Sequence, residues 1–178
     1  MRYIQENCIV NVLREEYKEW YTLLSKEELR AIRKYSYNSY DKGKNRFFLR
    51  LNAMLRGELK VYKSDNLEYY AALISSALQK HTCKHNFICY RGIDVGLPEH
   101  AKVGDEISFG QFLSTSVIKS KALHRKYMFK IYVPSGTTGA YIEEISYFSK
   151  QREFLFDKNC VFRILLIHEN VVELEVVL

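Results

Sequence analysis

The chain has 178 residues, of which 47% are hydrophobic and 27% charged, and this composition suits a single domain, residues 1–178, with a sizeable core. No segment is repetitive or rich in Pro, Gly and Ser, and no apolar run reaches bilayer length, which argues against a repeat array, a disordered linker and a membrane span. The net charge of +6 suits nucleic acid, an anionic surface or a phosphate-rich cofactor, but the basic residues are spread along the chain, so charge alone selects none of these partners.

The first half of the chain has the periodicity of helices. Ser25 and Glu28 form a capping-box signature that starts a second helix, after a first helix in which apolar residues recur at helical spacing. These apolar residues of the first helix are Leu13, Tyr17, Trp20, Tyr21 and Leu24. A third helix is predicted after a turn at 41–43, from about Phe47 to Leu55, and a fourth from about Leu67 to Leu78.

A short run ahead of the second half contains four residues of metal-ligating type, which are His81, Cys83, His85 and Cys89. Their spacing matches no common zinc pattern, and Cys89 begins what is predicted as a buried strand. The other cysteines, Cys8 and Cys160, are too scattered for a disulfide framework. We therefore expect reduced thiols and no metal site.

The second half of the chain changes to short runs with period-two alternation, separated by turn residues. Strands are predicted near Phe87–Arg91, Glu106–Phe109, Gln111–Ser116, Lys126–Val133, Arg152–Phe156, Val161–Ile167 and Val171–Val177. A helical half followed by a strand-rich half, without regular strand–helix alternation, predicts an α+β fold with largely antiparallel sheets.

Three short segments in the strand half contain the residues that suggest chemistry. They are Tyr90-Arg91-Gly92, Phe112-Leu113-Ser114-Thr115-Ser116 and Gln151-Arg152-Glu153. Each of these segments alone is common in unrelated domains. Their order and spacing together carry the information.

In this order the segments resemble the Arg, Ser-Thr-Ser, Glu signature of the toxin-like mono-ADP-ribosyltransferases, most closely the Rho-inactivating exoenzymes and the catalytic domains of actin-modifying binary toxins. The resemblance extends to residues 52–56, similar to a helix ending in a phosphate-contacting Arg, to 130–134, and to 139–141, which open a loop similar to the family's target-recognition loop. It implies a catalytic domain over 1–178, in which two packed, largely antiparallel sheets form a cleft for the co-substrate NAD.

The resemblance also implies a set of NAD-binding residues, and physical reasoning supports its arginines. A fixed guanidinium binds a pyrophosphate in a forked geometry that Lys cannot reproduce, so Arg91 is expected to bind NAD with the help of Arg56. Lys130 stands where relatives often have Arg, and would contact the phosphate as a point charge. The implied set is Asn52, Arg56, Arg91, Gly92, Ser114, Thr115, Ser116, Lys130 and Glu153.

The catalytic residues implied by the resemblance are Glu153, Gln151, Ser114 and Arg91. Cleavage of the nicotinamide glycosidic bond builds positive charge on the ribose, which a carboxylate such as Glu153 stabilises. Ser114 and Ser116 share a strand face, and Ser114 is expected to hold this carboxylate by a hydrogen bond. Glu143 and Glu144 are interpreted as loop surface, because nicotinamide is a good leaving group and needs no second carboxylate.

Target recognition is assigned to Tyr147, Phe148 and Gln151. On an extended segment Gln151 and Glu153 would point into the same cleft. Arginine-modifying relatives carry Glu at the position of Gln151, whereas Gln both donates and accepts, which favours an amide or a nucleobase as acceptor. Phe148 resembles the loop aromatic that Rho-modifying enzymes place against their protein partner, although a core position under the loop is an equal alternative.

Three functions stay open at this point. The first is modification of an Asn or Gln side chain of a Rho-type small GTPase, the second is the same reaction on a nucleic-acid base, and the third is a non-catalytic NAD-binding interaction module. Residues 1–10 have no signal-peptide pattern. We therefore expect a secreted toxin or delivered effector that acts in the target-cell cytosol, or otherwise a cytoplasmic protein.

Overall fold

The helices lie where the sequence predicts them in the computed structural model, which describes residues 2–37, 47–59 and 66–178. They are α1 (Glu6–Tyr21), α2 (Lys26–Ser36), α3 (Phe47–Leu55) and α4 (Leu67–Gln79). The predicted turn at 41–43 lies outside the described residues. Within those described ranges, no helix has the length and apolar character needed to cross a bilayer.

Helix α2 begins at the predicted capping box. The Ser25 hydroxyl accepts from the Glu28 amide at 3.1 Å, and the Glu28 carboxylate accepts from the Ser25 amide at 2.7 Å. Glu28 is buried and also accepts from the Ser76 hydroxyl and the Lys80 ammonium. The residue that caps α2 therefore also ties this helix to α4 and its C-terminal end.

Eight strands follow the helices. They are β1 (Phe87–Ile93), β2 (Glu106–Ser108), β3 (Leu113–Ser116), β4 (Tyr127–Val133), β5 (Gly139–Tyr141), β6 (Glu153–Phe156), β7 (Val161–His168) and β8 (Val171–Val176). Their order in the sheet is β2-β7-β8-β4-β1-β3-β6-β5, and the β4–β8 pair is parallel, whereas the other pairs are antiparallel. The predicted α+β class and the largely antiparallel pairing are confirmed.

The two packed sheets that the family resemblance implies are joined here as two halves of one hydrogen-bonded sheet. The halves meet where β1 pairs with β3, and this junction has a single register pair, Tyr90 with Ser116. By contrast, β1 pairs with β4 along seven residues. The junction between the two halves is therefore narrow.

Strand β6 is buried on both faces. Phe154 and Phe156 belong to the core between α1 and the sheet, and Leu155 belongs to the core that packs against α2 and α4. The unpredicted strand β5, only three residues long, covers the edge of β6. Glu153, the first residue of β6, is thereby held at the end of one of the most enclosed strands in the described fold.

Candidate active site

A cleft of about 450 Å³ lies between the α2–α3 region and strands β1, β3 and β6. Arg91, Ser114 and Glu153 reach it from three strands that are far apart in sequence but adjacent in the sheet. The cleft also contains Asn52, Arg56, Gly92, Phe148 and Gln151. The structure therefore brings together most of the residues that the sequence singles out.

Glu153 is a buried carboxylate held by hydroxyl donors. Ser116 lies directly opposite Glu153 in the sheet, and Ser114 is its diagonal neighbour on the same face. The Ser114 hydroxyl donates to Glu153 Oε1 at 2.5 Å, and the Ser146 hydroxyl lies 3.4 Å from Oε2. Burial raises the pKa of Glu153, and the bonds from Ser114 and Ser146 and the charge of Arg91 offset only part of this rise.

Arg91 supplies a buried positive charge to the same cleft. Its guanidinium donates to the Ser114 carbonyl, the one protein acceptor for Arg91 in the part of the chain that the structure describes. Burial lowers the pKa of Arg91, while Tyr35 and Glu153 act in the opposite direction. A guanidinium has five N–H donors, so most of the hydrogen-bonding capacity of Arg91 is available to an anionic ligand.

Helix α3 contributes an amide and a second guanidinium. Asn52 Nδ2 donates to the Tyr35 hydroxyl at 3.1 Å, and Asn52 Oδ1 is buried without a hydrogen-bond partner among the described residues. Arg56 forms a forked ion pair with Glu58, with distances of 2.7 and 2.5 Å, and contacts Gln111. A phosphate that binds Arg56 must therefore compete with Glu58.

Three predicted cofactor-binding residues, Thr115, Ser116 and Lys130, do not line the cleft, and Thr115 and Lys130 point away from it. Side chains alternate along a strand, so Thr115 points away from Ser114 into the core and donates to the Phe154 carbonyl at 2.8 Å. Lys130 pairs with Tyr90, on the sheet face opposite Arg91, and its ammonium lies 3.0 Å from Glu173. The expectation that Lys130 contacts the NAD phosphate is therefore wrong, because its side chain lies on the other face of the sheet.

Ser116 has a supporting position beside the cleft. Its hydroxyl lies 2.7 Å from the Gln151 carbonyl and 2.9 Å from the Ile118 carbonyl. With Thr115 it lines a small adjoining cavity of about 80 Å³. Ser116 thus fixes the backbone just before Glu153 and leaves the carboxylate contact to Ser114.

Gln151 reaches the cleft by a different route from the predicted one. It ends a short 3-10 helix, Ser149–Gln151, and Arg152 follows in the left-handed region with φ 53°. The expectation of one extended segment from Gln151 to Glu153 is wrong, because the chain turns at Arg152. Both side chains nevertheless line the same cleft.

An ion-pair cluster holds this turn in place. Glu143 is buried, which corrects its interpretation as loop surface, whereas Glu144 is exposed as expected. The Glu143 carboxylate pairs with Arg152 and with the Arg14 guanidinium at 2.9 and 3.0 Å, and accepts from the Tyr141 hydroxyl at 2.7 Å. These contacts offset the cost, on the order of 1 kcal/mol, of a non-glycine residue in the left-handed region.

The two neighbouring aromatics have different environments. Tyr147 is 52% exposed, its ring centroid lies 4.5 Å from that of Tyr37, and the Arg33 guanidinium lies 5.0 Å above it. Phe148 is half-buried in the cleft wall. It is therefore neither a protruding anchor nor a core residue, which are the two alternatives drawn from the sequence. Tyr147 is therefore the aromatic that this loop presents to solvent.

Sequence reasoning missed two residues of this site. Tyr35 is buried beneath the cleft and accepts from Asn52, and burial raises the pKa of Tyr35 to about 12. Ser146 is the second, and its hydroxyl contacts the Glu153 carboxylate. Neither residue belongs to a recognisable motif, and a hydroxyl on an amphipathic helix or a loop has no local signal of such a role.

Solved structures of toxins share this architecture. One is Plx2a, an ADP-ribosyltransferase toxin from Paenibacillus larvae, with a TM-score of 0.76 and 23% identity over 99% of this chain and 98% of that one. Another is an ADP-ribosyltransferase from Clostridium botulinum, with a TM-score of 0.74 and 22% identity over 93% and 92% of the two chains. The fold is thus that of the ADP-ribosyltransferase toxins.

Sequence comparison gives the family. Residues 13–176 match the model described as ADP-ribosyltransferase exoenzyme, and the chain belongs to this family. A curated relative, the NAD(+)–arginine ADP-ribosyltransferase EFV of Enterococcus faecalis, is 26% identical over 176 residues. The match covers 92% of this chain but only 34% of that relative, so the chain spans about a third of the relative's length.

We expect Gly92→Ala to destabilise the fold and to slow nicotinamide release. A Cβ at Gly92 would lie 1.8 Å from the Leu123 carbonyl oxygen, and both residues line the cleft. Overpacking of this kind costs about 1–3 kcal/mol. Gly96→Ala is the matched control, because its Cβ would meet the Tyr127 ring at 3.4 Å. Calorimetry and a nicotinamide assay compare the variants, and equal behaviour would contradict a close-packing role for Gly92.

Proposed function

We propose that this chain cleaves the bond between nicotinamide and ribose in NAD and transfers the ADP-ribose to a protein side chain. The observation that carries the proposal is the buried Glu153 carboxylate, held by Ser114 at 2.5 Å, in a cleft that also contains Arg91. One carboxylate with a nearby guanidinium suits a reaction in which positive charge develops next to a bound diphosphate.

The donors and acceptors of the cleft fit NAD. Arg91 and Arg56 offer guanidinium donors to the pyrophosphate, and the partnerless Asn52 Oδ1 offers an acceptor to a ribose hydroxyl or an amide. A volume of about 450 Å³ is within the usual range for small-molecule sites. The chemistry of all three groups agrees with a ligand that has both phosphates and sugars.

Glu153 has the central role in the proposed reaction. Its negative charge stabilises the positive charge that builds on the ribose as nicotinamide leaves, and a carboxylate oxygen accepts from the ribose 2′-hydroxyl. Ser114 positions the carboxylate, and Arg91 both balances the charge of Glu153 and binds the phosphates. The proposal is tested by nicotinamide release from NAD, with the wild-type chain compared with Glu153→Gln and Arg91→Lys.

The acceptor is proposed to be an Asn or Gln side chain of a Rho-type small GTPase. Gln151 at the cleft supports an amide acceptor, and the exposed Tyr147 supports a protein partner. The name of the Enterococcus relative favours an arginine acceptor as the second candidate. Incubation with labelled NAD and purified GTPases, with arginine compounds as a parallel series, separates the two.

The other open functions have less support. Neither the Enterococcus relative nor the two toxin structures are named for a nucleic-acid acceptor. A non-catalytic module would not need Arg91, Ser114 and Glu153 in one cleft. Because the structural relative from Paenibacillus is a toxin, we propose that this chain acts as a toxin or effector in the cytosol of a target cell.

Gln151→Ala is expected to reduce transfer to the macromolecular acceptor far more than hydrolysis of NAD by water. Gln151 lies on the exposed 3-10 helix before the turn at Arg152, whereas Glu153 lies in the buried strand, so the two residues are structurally separable. Water needs little orientation at the ribose, but an amide acceptor does. Transfer and hydrolysis measured in parallel provide the comparison.

Gln151→Glu sharpens this experiment, since it restores the Glu of the arginine-modifying relatives and is expected to increase transfer to guanidinium compounds. Lys150→Ala, on the same exposed turn, is the matched control. If Gln151→Ala slowed both activities by the same factor, Gln151 would belong to the NAD-cleaving step and the argument against arginine would fail.

A further inference from the structure

A second cluster of chemically reactive side chains lies outside the cleft. It consists of Glu16 on α1 and of His81 and Cys83, which lie between α4 and β1. One ligand atom from each residue lies within 4.8 Å of the others; Glu16 and Cys83 are buried, and His81 is 9% exposed. None of them lines the cleft that contains Glu153. The NAD-cleaving reaction therefore does not account for this cluster.

The protonation of His81 leaves an unusual contact inside the cluster. His81 Nδ1 lies 2.6 Å from the Gly139 carbonyl oxygen, which can only accept, so Nδ1 carries a proton. His81 Nε2 then faces Glu16 Oε2 at 3.2 Å. Neither atom makes a hydrogen bond within the described residues, although both are buried. The two electron-rich atoms need a positive charge between them, which either a second proton on His81, making the contact an ion pair, or a bound metal ion supplies.

The surroundings of the cluster orient its ligand atoms. A metal-binding histidine commonly donates a hydrogen bond from its other ring nitrogen to a backbone carbonyl, as His81 Nδ1 does here. Glu16 Oε1 is contacted by His85 Nδ1 at 2.7 Å and by the Lys84 amide at 3.3 Å, which leaves Oε2 directed at the cluster. The Cys83 backbone is fixed by a hydrogen bond that its N–H donates to the Thr137 carbonyl at 2.9 Å.

We propose that Glu16 Oε2, His81 Nε2 and Cys83 Sγ bind a divalent ion of the zinc type. A set of one oxygen, one nitrogen and one sulfur ligand suits Zn²⁺, with water as the fourth ligand. Zinc bond lengths near 2.0–2.3 Å imply ligand separations of about 3.3–3.8 Å in a tetrahedron, so the cluster needs only a small contraction. On binding, the Cys83 thiol loses its proton to solvent and the sulfur forms the metal bond.

This proposal differs from the expectation drawn from sequence spacing. Cys89 lies in the core of β1 and takes no part, His85 contacts the outer side of Glu16, and Glu16 itself comes from the first helix. The ion would join α1 to the segment that leads into the sheet. Its role is therefore structural, and it is independent of the NAD chemistry.

The test uses the whole chain, stripped with a chelator and then titrated with Zn²⁺ and, separately, Co²⁺. We expect one Zn²⁺ per chain after desalting, a higher Tm with Zn²⁺, and a thiolate-to-Co²⁺ charge-transfer band. His85→Gln removes only an outer contact, so its Zn²⁺ affinity is expected to fall by roughly 10–100-fold. Cys83→Ser removes a ligand, so it is expected to lose the charge-transfer band and to lose more Zn²⁺ affinity than His85→Gln does. Cys8→Ser removes an exposed thiol and should change nothing.

Two results overturn the proposal. One is the absence of stoichiometric Zn²⁺ binding by the wild-type chain, and the other is Co²⁺ binding without a thiolate band. Both are measured on the wild-type protein, so they hold even if Cys83→Ser fails to fold. Unchanged Zn²⁺ affinity in a folded Cys83→Ser variant has the same meaning.

Discussion

Glu153→Gln is expected to reduce nicotinamide release and ADP-ribose transfer by at least about 100-fold, which is the scale of losing one preorganised charge at a transition state. The variant keeps the side-chain volume and an oxygen that can accept from Ser114, so NAD affinity should change little. Assays of nicotinamide release and NAD binding on the same preparation separate the two effects. An unchanged rate of release would remove Glu153 from the mechanism.

The same variant is expected to be more stable than the wild type at neutral pH. The pKa of Glu153 is raised by burial, so between the unfolded and folded pKa values the folded state binds more protons than the unfolded state. The folding stability that the protonated Glu153 carboxyl contributes is therefore lost as the pH rises from the unfolded to the folded pKa value. Glutamine removes this penalty, and Tm should rise at pH 7 but not below the pKa of an ordinary glutamate.

Asp157→Asn is the matched control for Glu153→Gln. Asp157 is also a buried carboxylate, directly after β6, and it accepts from the Ser75 hydroxyl at 2.8 Å and from Gln79 at 3.1 Å. It lies outside the cleft, so its substitution should leave the rate of nicotinamide release nearly unchanged. Equal loss of activity in both variants would point to a general effect on β6.

Arg91→Lys is expected to weaken NAD binding by roughly 10–100-fold, because a charged hydrogen bond contributes about 1.5–3 kcal/mol and the forked donor geometry is lost. Lysine keeps the charge but has no planar pair of donors for a phosphate. Titration calorimetry with NAD gives the affinity, and thermal unfolding shows whether the buried contact with the Ser114 carbonyl also matters.

Arg163→Lys is the control for this like-charge exchange. Arg163 forms an exposed ion pair with Glu106 at 2.8 Å and lies outside the cleft. An exposed ion pair contributes only about 0–1 kcal/mol to the folding stability. Because Arg163 also lies outside the cleft, its substitution should leave NAD binding unaffected. If Arg91→Lys binds NAD as tightly as Arg163→Lys does, Arg91 is structural and the proposed location of the pyrophosphate is wrong.

The sequence predicts the helices and most strands because their signals are local. The capping box at Ser25 and Glu28 lies within one helical turn, and alternation marks the long strands such as β4. Strand β5 has only three residues, all buried, so it has no alternation to detect. The left-handed conformation at position 152 occurs at an arginine and not at a glycine, so the sequence contains no signal for the turn. The sequence pattern therefore predicts an extended segment from Gln151 to Glu153.

Long-range contacts limit what the sequence predicts about the site. The residue that holds Arg152 is Glu143, and a second partner of Glu143, Arg14, lies 129 positions away from it. Lys130 resembles a family phosphate contact in sequence, but its strand face is set by the register of β4 against β1. Family resemblance selects Arg91, Ser114 and Glu153, and the sheet order then explains why they meet.

The turn at Arg152 also has a consequence for how such an enzyme changes during evolution. Before it, residues 147, 149, 150 and 151 are exposed, so substitutions there cost little folding free energy. After it, every residue of β6 is buried, and truncation of a core side chain there costs about 2–5 kcal/mol. If Gln151 and Glu153 have the roles proposed above, mutation can explore new acceptors on one side of Arg152, while the stability of the fold preserves the NAD-cleaving carboxylate on the other side.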